Sequence, residues 1–122
     1  MVDPQPTVLE SILASTKKLL VIEDTYTHFD GDIILNINSV LMTLNQLGIG
    51  PSAGFLITDR DDTWASVILE RNDLEAIKLY IYLKVRFIFD PPQTGYLVEA
   101  INKQCAELEW RLNVKVEGAI VV

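Results

Sequence analysis

Few residues in this sequence could do chemistry, and they are not spaced to do it together. The chain has one histidine, His28, and one cysteine, Cys105. Covalent catalysis needs a nucleophile, a base and an orienting group side by side, and zinc needs three or four nitrogen, sulfur or carboxylate ligands. Cys105 lies on the apolar face of a predicted helix, so it is better interpreted as a small buried hydrophobic residue than as a nucleophile. His28 lies in a predicted loop, where a solvated or hydrogen-bonded histidine is the better interpretation. The sequence therefore predicts no catalytic residue, no metal site and no cofactor.

The acidic run that begins at Asp59 is the segment closest to a calcium loop. With Asp59 at the first position, Asp61 falls at the third, Thr63 at the fifth and Glu70 at the twelfth. The sixth position, where the sharp turn requires glycine, is Trp64. Helix capping by these aspartates is the better interpretation.

Composition indicates a protein that needs a partner. The chain has 122 residues, of which 49% are hydrophobic, and its mean hydropathy is +0.24. A single domain of this size cannot hide so much apolar surface alone, and self-association would cover it. The net charge of −7 argues against a nucleic-acid-binding face. One cysteine permits no internal disulfide, which suits a reducing cytoplasm. No signal peptide and no membrane-spanning segment are expected.

The pattern predicts a mainly α fold, a compact bundle of about four helices with a short β-like segment near 54–58 and an extended C-terminal tail. We expect a flexible lead-in over 1–6, a helical domain over 7–113 and an extended arm over 114–122. Helices are predicted at about 7–21, 31–47 and 94–113, and a further one between a cap at Asn72 or Asp73 and the stop at Asp90-Pro91-Pro92. A short helical turn is predicted from Trp64 to Leu69.

Five signals carry these boundaries. Thr7 and Glu10 form a capping-box pattern before the first helix, and Asp30 is a candidate cap for the second. Gly48 stops the second helix. Asp90-Pro91-Pro92 stops the third, because proline cannot continue the helical hydrogen bonds. From Val114 to Glu117 apolar and charged residues alternate, which is a strand pattern.

Three segments, in this order and spacing, resemble small head–tail connector proteins of tailed bacteriophages, also called adaptor or head-completion proteins. The segments are Thr43-Leu-Asn-Gln-Leu-Gly-Ile-Gly-Pro51, Tyr80-Ile-Tyr-Leu-Lys-Val-Arg-Phe-Ile-Phe-Asp-Pro-Pro92 and Leu108-Glu-Trp-Arg-Leu-Asn113. Each motif alone is structural and modestly specific. The resemblance covers roughly residues 30–113.

This resemblance implies a structural subunit of the virion neck, assembled in the host cytoplasm. Such proteins form a homo-oligomeric ring of about twelve copies. The ring joins the portal protein to a head-closure or tail-terminator protein, and double-stranded DNA passes through its lumen without sequence-specific binding. The family carries no catalytic residues, so none are assigned here.

Candidate interface residues can be chosen by residue type, because aromatic residues and arginine are typical interface anchors. The third helix and the tail each supply five candidates, and the alternative for any one of them is a place in the chain's own core. The tail could add as a strand to a neighbouring subunit or to the portal, or fold back on its own domain. The candidates are Tyr80, Tyr82, Arg86, Phe87, Phe89, Val114, Val116, Ile120, Val121 and Val122.

Two other functions fit the residues without the resemblance. One is a small cytoplasmic helical protein-binding regulator with no viral role. The other is an enzyme subunit whose site forms only at an oligomer interface. Binding to a portal, or a measured activity, would separate them.

Overall fold

The computed structural model describes residues 5–51, 54–67 and 74–120, and over these ranges the protein is a helical bundle. The mainly α fold predicted from the sequence is confirmed. The helices are α1 (Ile12–Leu19), α2 (Asp30–Gln46), α3 (Trp64–Val67), α4 (Leu74–Phe89) and α5 (Gly95–Ile120).

The first helix begins later than its capping box suggests. The amide of Thr7 donates to Glu10 Oε1 at 2.8 Å, and the amide of Glu10 donates to Thr7 Oγ1 at 3.2 Å. These reciprocal bonds close a turn before the helix. Ser11 then caps α1, because its Oγ accepts from the amide of Ala14 at 3.1 Å. The helix predicted at 7–21 therefore extends over 12–19 instead.

The second helix follows the predicted apolar face closely. Its buried side chains are Ile33, Ile37, Val40, Leu41 and Leu44, at the 3–4 residue spacing of one helical face. Gly48 and Gly50 have φ angles of 87° and 91°, so both adopt the left-handed conformation that glycine tolerates best. Asp30 was predicted to cap this helix but is its first residue; Phe29 occupies the cap position, and the carboxylate of Asp30 pairs with Lys17.

The central helix is α4, which packs against α2, α5 and α1. Ile77, Tyr80, Ile81 and Val85 on this helix are fully buried. Helix α4 thus lies between α2 and α5. Helix α1 packs on α2 and α4. The helix ends at Phe89, directly before Asp90-Pro91-Pro92, as predicted from the sequence.

The segment over 54–58 is not a strand, and no residue within the described ranges belongs to one. The side chain of Asn38 makes the backbone hydrogen bonds that a neighbouring strand would otherwise make. Its Oδ1 accepts from the amide of Ile57 at 2.8 Å, and its Nδ2 donates to the carbonyl of the same residue at 3.0 Å. Ile57 is thereby buried with both backbone groups satisfied.

The extended arm predicted from Val114 is wrong over residues 114–120, because α5 continues as a helix to Ile120. Extending an existing helix adds one hydrogen bond for each residue fixed, whereas a lone strand gains none until it finds a partner. Four alternating residues were too few to distinguish the two. Val121 and Val122, the end of the predicted arm, lie outside the described residues.

Candidate interface surfaces

The residues that could do chemistry are not brought together. His28 is exposed in the loop between α1 and α2, where its ring packs edge-on against Phe29 with centroids 4.7 Å apart. Cys105 is buried on the inner face of α5, and this burial raises the pKa of its thiol. A thiol of raised pKa is a poor nucleophile at neutral pH.

The acidic loop binds its own backbone. One carboxylate oxygen of Asp62 accepts from the amides of Thr58 and Asp59 at 2.7 and 3.2 Å. Asp59 Oδ1 accepts from the amide of Asp61 at 2.8 Å. Within the described ranges no three His, Cys, Asp or Glu residues are grouped to hold a metal ion. Glu70, the last position of the calcium-loop interpretation, lies outside those ranges.

Lys17 fixes the loop between α1 and α2 from inside the protein. Its side chain is 1% exposed, and its Nζ donates to the carbonyls of Asp24 and Tyr26 at 3.0 and 2.7 Å. The same nitrogen pairs with Asp30 Oδ1 at 2.8 Å. A buried ammonium with three oxygen partners is well satisfied, and it orders the loop that these oxygens belong to.

Arg60 fixes the same loop from the other side. Its guanidinium holds the carboxylate of Asp24 through three hydrogen bonds of 2.8 to 3.0 Å and donates to the carbonyl of Pro6 at 2.7 Å. The hydrogen bonds from Arg60 lower the pKa of Asp24. Three segments distant in sequence are thus joined by one side chain.

Val21, at the end of α1, has an unusual backbone conformation for a residue with a branched side chain. The amide of Val21 donates to the carbonyl of Lys18 and that of Ile22 to the carbonyl of Lys17, at 3.1 and 2.9 Å. These two bonds form the helix end that usually has glycine at the left-handed position. Here the position holds a β-branched residue at φ 62°, and its side chain is 91% exposed. Open grooves lie on both sides of it.

A polar cluster joins α4 to α5. Tyr80 Oη donates to Glu109 Oε2 at 3.1 Å, and Lys84 Nζ lies 3.8 Å from the same oxygen and 5.7 Å from the centre of the Tyr80 ring. Burial, followed by the nearby carboxylate, raises the pKa of Tyr80 well above its usual range. The cluster orients the two helices against each other.

The nominated interface residues fall into three environments. Tyr80 is 0% exposed, so it belongs to the core, which corrects its nomination as a partner contact. Its aromatic neighbours on α4 are half-buried, and Phe89 packs edge-on against Phe29. Val114 is 43% exposed. The half-buried α4 candidates are Tyr82, Arg86, Phe87 and Phe89. Val116 and Ile120 lie within α5, but their side chains, like residues 121 and 122, are outside the description.

Sequence reasoning missed the outer faces of α2 and α5. Leu35 and Met42 on α2 are 70% and 58% exposed, while Tyr96 and Trp110 on α5 are 81% and 68% exposed. Their spacing was the available signal, since seven residues separate Leu35 from Met42 and fourteen separate Tyr96 from Trp110. Residues seven apart lie on one face of a helix, here opposite the buried face.

These features define a class of protein. The described part of the chain is a helical module with several exposed apolar surfaces, a composition typical of proteins that assemble with partners. A model of the phage connector protein family matches residues 12–119, nearly the whole chain, and the chain belongs to that family. Comparison with curated proteins and comparison with solved structures each return no match.

Family membership confirms the resemblance drawn from the sequence at the level of the family. The protein is a bacteriophage structural protein of the head–tail region, of a kind that associates with other head and tail proteins and is not enzymatic. No helix in the described residues is both long and apolar enough to cross a membrane.

Proposed function

We propose that this protein is a subunit of the phage neck, where a ring of about twelve copies joins the portal to the next neck or tail component and extends the DNA channel. The observation that carries the proposal is the family match over residues 12–119. The exposed apolar residues of α2, α5 and the α1–α2 loop support it, because grouped apolar side chains at a surface mark sites of protein–protein contact.

The charge of the chain suits a DNA conduit. About twelve copies at −7 each would carry on the order of −84 formal charges. An acidic lumen would repel the phosphate backbone and keep DNA from adhering during passage. A ring whose lumen is lined mainly by lysine and arginine would contradict this part of the proposal.

The end of α5 is proposed as a docking element for the portal or for a neighbouring subunit. Helix α5 has 26 residues and α4 has 16, so α5 is about 15 Å longer than the helix it packs on. Removing residues 114–122 leaves Leu112, the last described core residue of α5, in place. The shortened protein should fold and fail to dock, whereas unchanged docking would rule out this role.

The ring is tested by mixing the purified protein with portal. Mass photometry should show portal particles heavier by about 160 kDa, the mass of about twelve 13.7 kDa copies, and electron microscopy should show an added ring. A monomer or dimer that ignores portals would favour the cytoplasmic regulator instead.

A further inference from the structure

We propose that neighbouring copies join side by side, with the outer face of α5 in one copy packed against the outer face of α2 in the next. The α5 stripe is defined as Tyr96, Trp110 and Val114, and the α2 face as Leu35, Met42 and the adjacent Leu56. The inference rests on the proposed ring and names the two surfaces that form it.

The α2 face is an uncharged surface with a groove. From Ile33 to Thr58 the sequence contains no Asp, Glu, Lys, Arg or His. Beside Met42 and Leu56, which are 58% and 54% exposed, lies an open groove of about 560 Å³. Its lining also includes Asn45, Gln46, Gly54 and Phe55. Depletion of charge around exposed apolar side chains is the composition found at the centre of protein interfaces.

The α5 stripe is the kind of surface that fits such a groove. Tyr96 and Trp110 are the large, rigid aromatic residues that most often anchor interfaces, and Val114 follows Trp110 one turn later. The same outer face of α5 also carries charged residues, but they balance: two acidic residues accompany two basic ones, and Glu107 and Arg111 form an ion pair across one turn. The four residues are Glu99, Lys103, Glu107 and Arg111.

Charge selects a second copy as the occupant. Two chains that each carry −7 repel one another, so they can approach closely only through surfaces free of that excess charge. The α2 face has no charged side chain, and the four charged residues on the outer face of α5 sum to zero. DNA would require a basic surface, which neither face offers.

The fold keeps the two faces apart. Helix α4 separates α2 from α5, and the exposed face of each of these helices lies opposite its own buried face, so the two faces are different surfaces of the protein. A contact between α5 of one copy and α2 of the next joins unlike surfaces and leaves a free surface of each kind at the ends. Such a head-to-tail contact closes into a ring when its rotation permits.

The size of the contact predicts how assembly proceeds. The stripe from Tyr96 to Val114 is about 27 Å long and a helix is about 10 Å wide, which gives a footprint of roughly 270 Å². A stable interface usually buries about 800 Å² on each partner. A single pair of copies should therefore bind weakly, and rings should form on a portal that holds many copies together.

Cross-linking tests the pairing. Single variants M42C and W110C would be mixed in the presence of portal and treated with a short bismaleimide. The heterologous contact predicts 42–110 dimers in the mixture and no dimers from either variant alone. The double variant carries both cysteines and should give a ladder of multimers. Cys105 is buried and should not compete. A matched control pairs L9C with W110C, since Leu9 is 65% exposed but belongs to neither face.

Charge exchange gives a second measurement. W110E and M42K should each prevent ring formation on portals while leaving the melting temperature unchanged, and the double variant should restore the ring, because every contact would then pair opposite charges. L9E should have no effect. Portal-bound rings that form normally with W110E and give no 42–110 product would overturn this pairing and leave the neck function standing. Absence of any ring with the unaltered protein would overturn both.

Discussion

Replacing Val21 with glycine should make the isolated protein more stable. Val21 is held at φ 62° by the hydrogen bonds that end α1, and its side chain is 91% exposed. The left-handed conformation costs a residue with a Cβ atom roughly 1–2 kcal/mol, and glycine avoids this cost.

Two smaller effects oppose the gain. Glycine has more conformational freedom in the unfolded chain, which costs about 0.4–1 kcal/mol on folding. Loss of the side chain removes little burial, at most about 0.2–0.3 kcal/mol for a valine that is nine-tenths exposed. The net stabilisation should be about 0.5 kcal/mol, which corresponds to roughly 2 °C in the melting temperature of a chain of this size.

Urea unfolding followed by circular dichroism would measure the change, with calorimetry for the melting temperature. V21A is the matched control, because alanine keeps the Cβ atom that clashes in this conformation while losing the same exposed surface. V21N should fall between them, since asparagine tolerates the left-handed region. Backbone strain at Val21 would be refuted if V21G were no more stable than the unaltered protein. It would also be refuted if V21A were as stable as V21G.

Three further changes test the contacts that shape the surfaces. K17M should lower the free energy of unfolding by about 2–4 kcal/mol, because it leaves Asp30 and two carbonyls without their buried partner, while K18M on the exposed side should change it by less than about 0.5 kcal/mol in urea titrations. D24N should destabilise at pH 7 and progressively less as the pH falls: the bond to Arg60 lowers the folded pKa of Asp24, so its contribution is present above the unfolded pKa and is lost as pH falls through the folded one. Cys105 should react with a thiol reagent only after urea unfolds the protein, and fast labelling of the native protein would contradict its burial.

Helical periodicity predicted the core of the fold well, because the buried faces are long. The α2 residues from Ile33 to Leu44 repeat at helical spacing over three turns, so a single face was identifiable from sequence alone. The end of α4 was equally predictable, because it depends only on the adjacent Pro91 and Pro92, whose rings cannot continue a helix. Tyr80 shows the limit, because the same periodicity is expected whether an aromatic side chain faces the core or a partner.

Features that depend on distant segments could not be predicted. Asn38 hydrogen-bonds to both backbone groups of Ile57, nineteen residues away, and this removes the need for a strand partner. Lys17 looks like a solvated residue in an adjacent basic pair, yet the carbonyls of Asp24 and Tyr26 bury it. The exposed position of Trp110 on α5 was not predicted either, although its spacing from Tyr96 is visible in the sequence.

The distribution of charge links the fold to the proposed ring. The stretch from 33 to 58 has no charged residue, so much of the negative charge lies in the segments before and after it. The Asp24–Arg60 ion pair brings those two segments together, with Asp32 and Asp61 exposed nearby in sequence. The segments that meet at this ion pair therefore carry several carboxylates, whereas the α2 face carries no charged side chain. If the α2 face and the α5 stripe join neighbouring copies, these acidic segments stay outside the contact, and like-charge repulsion opposes packing the copies through them.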